Sequence, residues 1–295
     1  MATLYTNQSS NIRKTWFLMT IFFVLVIALG WFLSYYLADP NILYIFVVFS
    51  IFMNVGSYWF SDKIVIKMTG AKPASREEHF NFYTAVENLS ITAGLPMPKI
   101  YVINDPAPNA FATGRDKKHA AVAVTTGLLQ ALDKTELEGV IAHELSHIGN
   151  RDMLLSTVAV VLAGFVSIIS NIFLRSRLMG GGRDRDSKAG AIIMIAGIVL
   201  LILAPIFAML IRLSISRKRE FLADASGALL TRYPEGLAKA LEKIGKYGAP
   251  MARASDATAH LFISNPFGAK SMRGLHRLFL THPPVEERIK ILRGM

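Results

Sequence analysis

Residues His143, Glu144, Leu145, Ser146 and His147 spell H-E-x-x-H. On a helix, residues four apart lie on one face about one turn from each other, so both imidazoles can reach a single tetrahedral ion, with Glu144 bordering its open position. Zinc held in this way lowers the pKa of bound water from ~15.7 towards ~7 and polarises a carbonyl, while an adjacent carboxylate takes the water's proton and passes it to a leaving amine. The chemistry this motif can do is therefore peptide hydrolysis. The chain contains no cysteine, so it can form no disulfide and no thiolate metal site, and any metal must be held by histidine and carboxylate.

A catalytic zinc wants a third protein ligand, and Ser216 to Asp224 reads S-R-K-R-E-F-L-A-D. As a helix, this segment puts Glu220 and Asp224 on one face. Glu220 then completes a site for one zinc ion per chain, and Asp224 hydrogen-bonds the second nitrogen of a ligating histidine, which fixes the tautomer. Arg217 is assigned to the same outer layer. His282 is a candidate donor beside the scissile carbonyl, stabilising the oxyanion, with Arg288 sharing or supporting that duty. The other reading of a histidine before Pro-Pro is a side chain that anchors a loop. His79, His119, His260 and His276 are given no role.

The elements that must position these groups can be read on either side. Ser75 with Glu78 forms a capping box that predicts a helix carrying Phe82, Val86 and Leu89, ended by Gly94, Pro96 and Pro98. Lys99 to Ile103 and Ala120 to Thr126, with Asn109 to Thr113 between them, predict a small sheet. Asp133 with Glu136, or Thr135 with Glu138, opens the helix that carries the motif, from about Glu136 to Gly149. Lys246 to Gly274 shows no periodicity, and two readings stand for it: a lid over the cleft or an irregular connection.

The chain is 52% hydrophobic and 18% charged over 295 residues. Four charge-free runs account for this: Trp16 to Leu37, Leu43 to Phe60, Leu154 to Leu174 and Ala189 to Ile211. Each is long enough to cross the roughly 30 Å core of a bilayer. The first is too long for a cleaved signal peptide and lacks a small-x-small site, so it reads as an uncleaved anchor. His147 lies seven positions before the third run and Glu220 nine after the fourth, or about 10 and 13 Å of helical rise. An antiparallel hairpin thus brings both to similar heights. Asn150, Arg151 and Asp152 separate the motif from the third run, so the site stands above the lipid.

Lys and Arg concentrate on the side holding the N-terminus and both polar stretches, which is expected to be cytoplasmic. Arg175 to Lys188 break that rule locally. The second pair of runs therefore either spans or dips into the membrane, and labelling at Ser187 separates the two. The net charge of +11 sits beside apolar spans, where anionic lipid accounts for it without nucleic acid. The expected domains are an anchor hairpin at 1–60, the first half of a catalytic domain at 61–153, a second hairpin at 154–211 and the second half at 212–295.

The order of these parts resembles the HtpX family, bacterial membrane-bound zinc metalloproteases related to the CAAX prenyl proteases. The similarity extends over nearly the whole chain and includes N-A-F-A-T-G at 109–114, H-A-A-V-A-V-T-T-G-L-L at 119–129 and T-H-P-P-V-E-E-R-I at 281–289. It implies a mostly α membrane protein with a small β-sheet, a gluzincin-like domain split by a transmembrane hairpin, His143, His147 and Glu220 as zinc ligands and Glu144 as general base. It implies location in the bacterial inner membrane, multi-pass and facing the cytoplasm, with unfolded or damaged membrane proteins as substrates and membrane quality-control proteases as candidate partners. Asn109, Ala110, Phe111 and Ala112 correspond to the strand lining the cleft. Small Ala110 and Ala112 would leave that edge open to an extended substrate, whereas the plainer reading is a turn and a short structural strand. Two other functions are weighed. A CAAX-type prenyl-peptide protease would need more spans than four, and a membrane scaffold or transporter with an incidental metal motif would show buried charge in its spans, which these lack.

Overall fold

The computed structural model describes residues 4–36, 38–162, 164, 217–255, 257–268 and 283–295. The third apolar run beyond its first turns, the fourth run, Ser187 and His282 lie outside the described residues.

The first two apolar runs form an antiparallel helical hairpin, α1 (Leu4–Tyr36) and α2 (Asn41–Trp59). The turn between them is fixed by the Asp39 carboxylate, which accepts from the Asn41 backbone and side chain, each at 3.0 Å. Close approach is allowed at Gly30, where a Cβ would lie 2.4 Å from that of Phe46. Both helices are long and apolar enough to cross a membrane, yet protein covers only 33% and 11% of their most apolar stretches. Phe17, Val24, Ile45 and Phe52 face outward instead, a surface suited to hydrocarbon. Trp16 stacks on Tyr58 with Trp59 beside it at one end, and Trp31, Tyr35 and Tyr36 are exposed at the other, as aromatic side chains do at membrane interfaces.

A short helix α3 (Ser61–Thr69), ended by Gly70 in the left-handed region at φ 70°, leads into the sheet. Strands β1 (Lys72–Pro73), β2 (Lys99–Ile103), β3 (Ala110–Gly114) and β4 (Ala120–Thr125) take the order β1-β2-β4-β3. β2 and β4 are parallel, with Tyr101 opposite Ala123, and β3 is antiparallel to β4, with Ala112 opposite Val122. Helix α4 (Phe80–Thr92) begins later than the capping box predicts. Ser75 does accept from the Glu78 amide at 3.2 Å, but the bond closes an isolated turn, because His79 at φ −128° and ψ 46° breaks the helical path before Phe80.

After α5 (Thr126–Ala131) comes α6 (Lys134–Asn150), which carries the motif. Of the two capping signals, Asp133 with Glu136 is the one used: each side chain accepts from the other's backbone amide, at 2.9 and 2.8 Å. Thr135 donates to Asp133 instead. Arg151 ends α6 at φ 58°, and α7 (Asp152–Leu162) starts the third apolar run. Later in the chain come α8 (Arg217–Thr231), α9 (Pro234–Lys246) and α10 (Val285–Leu292).

One core joins the two polar stretches. Phe82 and Val86 of α4, Val122 and Val124 of β4 and Val140 and Ile141 of α6 pack with Leu237 and Leu241 of α9 and Leu292 of α10. A second cluster docks the anchor, with Leu18, Phe22 and Val26 of α1 against Leu155, Val158 and Leu162 of α7. The described part of the 246–274 stretch is irregular and packed down: the Met251 amide donates to Pro266 O, the Ala252 amide to Asp105 and the Ile263 amide to Ala110 O.

Candidate metal centre

Helices α6 and α8 meet at a glycine. A Cβ on Gly227 would lie 3.0 Å from the His143 backbone nitrogen and 3.2 Å from Ala142 C and His143 Cα, so the absence of a side chain lets the two backbones touch. Glu220 and Asp224 stand seven and three positions earlier on the same helical face, and the contact turns both towards α6. Both are buried, as are His143 and Glu144.

The ligand atoms of His143, His147 and Glu220 all lie within 4.8 Å of one another. The two histidine Nε2 atoms face each other at 3.2 Å, their rings at 87°. Glu220 places Oε2 3.8 Å from His143 Nε2 and Oε1 3.6 Å from His147 Nε2. Tetrahedral ligands at zinc–nitrogen distances of about 2.0–2.1 Å sit roughly 3.3 Å apart, so the spacing fits such an ion. Two imine lone pairs at this distance also repel unless a proton or cation lies between them.

The outward nitrogens are partnered. His143 Nδ1 is 2.9 Å from Asp224 Oδ1, and Asp224 is gripped by Arg288, whose Nη2 and Nε donate at 2.6 and 2.8 Å. Burial would raise the Asp224 pKa, but the bonds from Arg288 and His143 outweigh it and hold the carboxyl down at about 2. His147 Nδ1 faces Asp152 Oδ2 at 3.3 Å. Burial would lower the His147 pKa, but the Asp152 bond and the charges of Glu220, Asp152 and Glu144 lift it to about 9.

The structure thus brings His143, Glu144, His147, Glu220 and Asp224 together. It does not bring in Arg217, whose side chain on the first turn of α8 is exposed; among the described residues, the arginines that reach the site are Arg219 and Arg288. Arg288, expected to share or support an oxyanion duty, has its guanidinium bonded to Asp224 and fully buried. The β3 edge is also less open than small residues suggested. Asn109, Ala110, Phe111 and Ala112 are all buried, Ala110 O accepts from the Ile263 amide at 2.9 Å, and the Asn109 side chain clamps the Ser264 backbone through Nδ2 at 3.0 Å and Oδ1 at 3.2 Å. At the far end the Gly114 amide donates to Thr157. Ala112 lies between these two attachments. Asp152 escaped the sequence reading although it stands only five positions after His147, because the left-handed residue Arg151 that folds it back gives no pattern.

A family model described as peptidase family M48 matches residues 80–295. The chain is 48% identical to a protein named protease HtpX homolog from Caldanaerobacter subterraneus subsp. tengcongensis, over 99% of this chain and 98% of that one. It is 51% identical to another of that name from Syntrophobacter fumaroxidans, over 84% and 88%. Among solved structures it is similar to that of S. mikatae Ste24p, with a TM-score of 0.48 and 18% identity, covering 98% of this chain and 67% of that one.

Proposed function

Because the chain belongs to peptidase family M48, among the HtpX-type metalloendopeptidases, we propose that it hydrolyses unfolded or damaged membrane proteins at the cytoplasmic membrane face, with zinc as its metal. The observation that carries the reading is the convergence of His143, His147 and Glu220, a set of two nitrogens and one carboxylate that suits zinc with an open position. When bound, the ion acidifies water and polarises the substrate carbonyl.

The chain's own residues supply the rest. Asp224, held by Arg288, accepts a hydrogen bond from the Nδ1–H of His143 and so keeps Nε2 turned to the metal, and Asp152 does the same for His147. Glu144, on the motif's own turn, accepts a proton from the attacking water and returns it to the leaving amine. The β3 edge around Ala112 is the place where an extended substrate backbone adds as a strand. The stretches 61–153 and 212–295 act as one catalytic unit interrupted by a second hairpin, and the Lys and Arg flanking the spans set it on the cytoplasmic side. Quality-control proteases of the same membrane are its candidate partners.

The test uses the purified full chain in detergent. The wild type should contain about one zinc per chain and cleave an unfolded membrane protein, and chelation should stop it. Glu144→Gln should keep the metal and lose cleavage. Persistent cleavage by the pure variant refutes the general-base role. Preferential cleavage of a prenylated peptide would favour the CAAX-type alternative.

A further inference from the structure

Asn11 lies near the start of α1 and is 2% exposed. A primary amide so deeply buried is costly unless both ends are satisfied, and here both ends point at the metal centre. Its Nδ2 donates to Asp152 Oδ1 at 2.6 Å, and its Oδ1 accepts from Arg219 Nη1 at 3.1 Å. Asp152 offers its other oxygen to His147, and Arg219 directly precedes Glu220 in α8. Arg219 Nη1 also stands 3.9 Å from Asp152 Oδ1, which closes a three-membered ring of side chains from α1, α7 and α8. The amide orientation is dictated by these neighbours. A flipped amide would set its NH2 against a guanidinium and its oxygen against a carboxylate oxygen.

Docking of the anchor does not require this amide, since Leu18, Phe22 and Val26 already pack on α7, and a leucine at position 11 would occupy nearly the same volume. The amide instead sets the rotamer of Asp152, and through it the ring of His147, while tying the first turn of α8 to the same point. We propose that Asn11 is a positioning residue for the metal centre, supplied by the membrane anchor: it holds Asp152 and Arg219 so that His147 and Glu220 are presented to one ion. The inference rests on the metal-centre reading above.

The test is zinc affinity of the full chain in detergent, measured by competition with a chromophoric chelator. Asn11→Leu is expected to weaken zinc binding about 10–100-fold, the range for loss of an outer partner of a metal ligand. In an Asp152→Asn background the same substitution should weaken it less, because the path to His147 is already cut and only that through Arg219 remains. Affinity within twofold of wild type, or an undiminished effect in the Asp152→Asn background, overturns the proposal. Should Asn11→Leu not be recovered as a folded protein, Asn11→Asp decides. It keeps the shape but sets carboxylate against carboxylate, so it must lose at least as much affinity, and unchanged binding overturns the proposal. Failure of the wild type to bind zinc would instead overturn the metal-centre reading itself.

Discussion

Replacing Asp224 by asparagine keeps the side chain's volume and removes its charge, and the structure sets two separate costs. The first falls on Arg288. Its side chain is 0% exposed and that of Asp224 1%, so water screens the pair little. At roughly 4 Å between charge centres and an effective dielectric constant of about 20, the attraction is about 4 kcal/mol, in line with the ~3–5 kcal/mol lost when one partner of a buried pair is removed. For a domain of this size that is a fall of roughly 8–16 °C in Tm. The second cost falls on His143, whose Nδ1 proton is left with a weaker acceptor, and zinc affinity should drop about 10–100-fold. Adding Arg288→Met separates the two. The double variant leaves no buried guanidinium without its carboxylate and should recover most of the lost Tm, yet it still lacks the carboxylate and should keep the low affinity. The assays are thermal unfolding of the metal-free full chain in one detergent and chelator competition on the same samples. A double variant as unstable as the sum of its singles would refute the buried pair, and unchanged affinity in Asp224→Asn would refute the carboxylate's hold on His143.

Three further outcomes follow from the same geometry. With its pKa lifted to about 9, metal-free His147 carries a proton at neutral pH, and zinc must displace it. Apparent affinity should therefore rise with pH up to about 9, with roughly one proton released per zinc; calorimetry in buffers of different ionisation enthalpy reads this, and no dependence on buffer would refute it. Gly227→Ala should gain helix propensity of up to ~1 kcal/mol but push α8 away from His143, lowering zinc affinity with little loss of Tm, and unchanged affinity would show that the glycine contact does not seat the ligands. Asp133→Ala should cost about 1 kcal/mol by uncapping α6. The Glu136 amide, with the Thr135 hydroxyl, holds the Asp133 carboxyl below its ordinary value, so this contribution is complete above the unfolded pKa of 3.8 and is lost as pH falls through the folded one. The gap in Tm between wild type and variant should then be full at pH 7 and narrower near pH 3, and a constant gap would refute the cap.

What could be read from the sequence is what repeats at short range. The spacing His143 to His147 and Glu220 to Asp224, the Asp133 cap and the β-branched strands each depend on a few neighbouring residues, and the structure keeps them. Helix α4 shows the limit of this, because the Ser75–Glu78 bond is made while the backbone at His79 leaves the helical region. The partners of the metal ligands are a different matter. Arg288 reaches Asp224 across 64 positions and Asn11 reaches Asp152 across 141, and neither pairing follows from a period or a spacing, although Arg288 stands in the 281–289 segment that carries the resemblance. The 257–264 segment that covers one end of β3 likewise has no pattern, so small residues on a strand were not enough to tell an open edge from an occupied one.

Charge gives these partners a common reason. Glu144, Glu220, Asp152 and Asp224 are buried at the centre, where Arg219 stands beside Asp152 and Arg288 grips Asp224. Buried carboxylates gathered this closely favour positive charge between them. A divalent cation supplies it, and so does a proton on His147, which is the direction in which that imidazole is pushed. The ligand triad gives the place for the cation; the surrounding carboxylates favour its charge. On this account a variant that cancels one negative charge without replacing a ligand, such as Asp152→Asn, should lower the pKa of His147 in the metal-free protein, through both the lost bond and the lost charge. NMR titration of its ring would show this, and an unmoved pKa would mean that Asp152 is not what holds the proton.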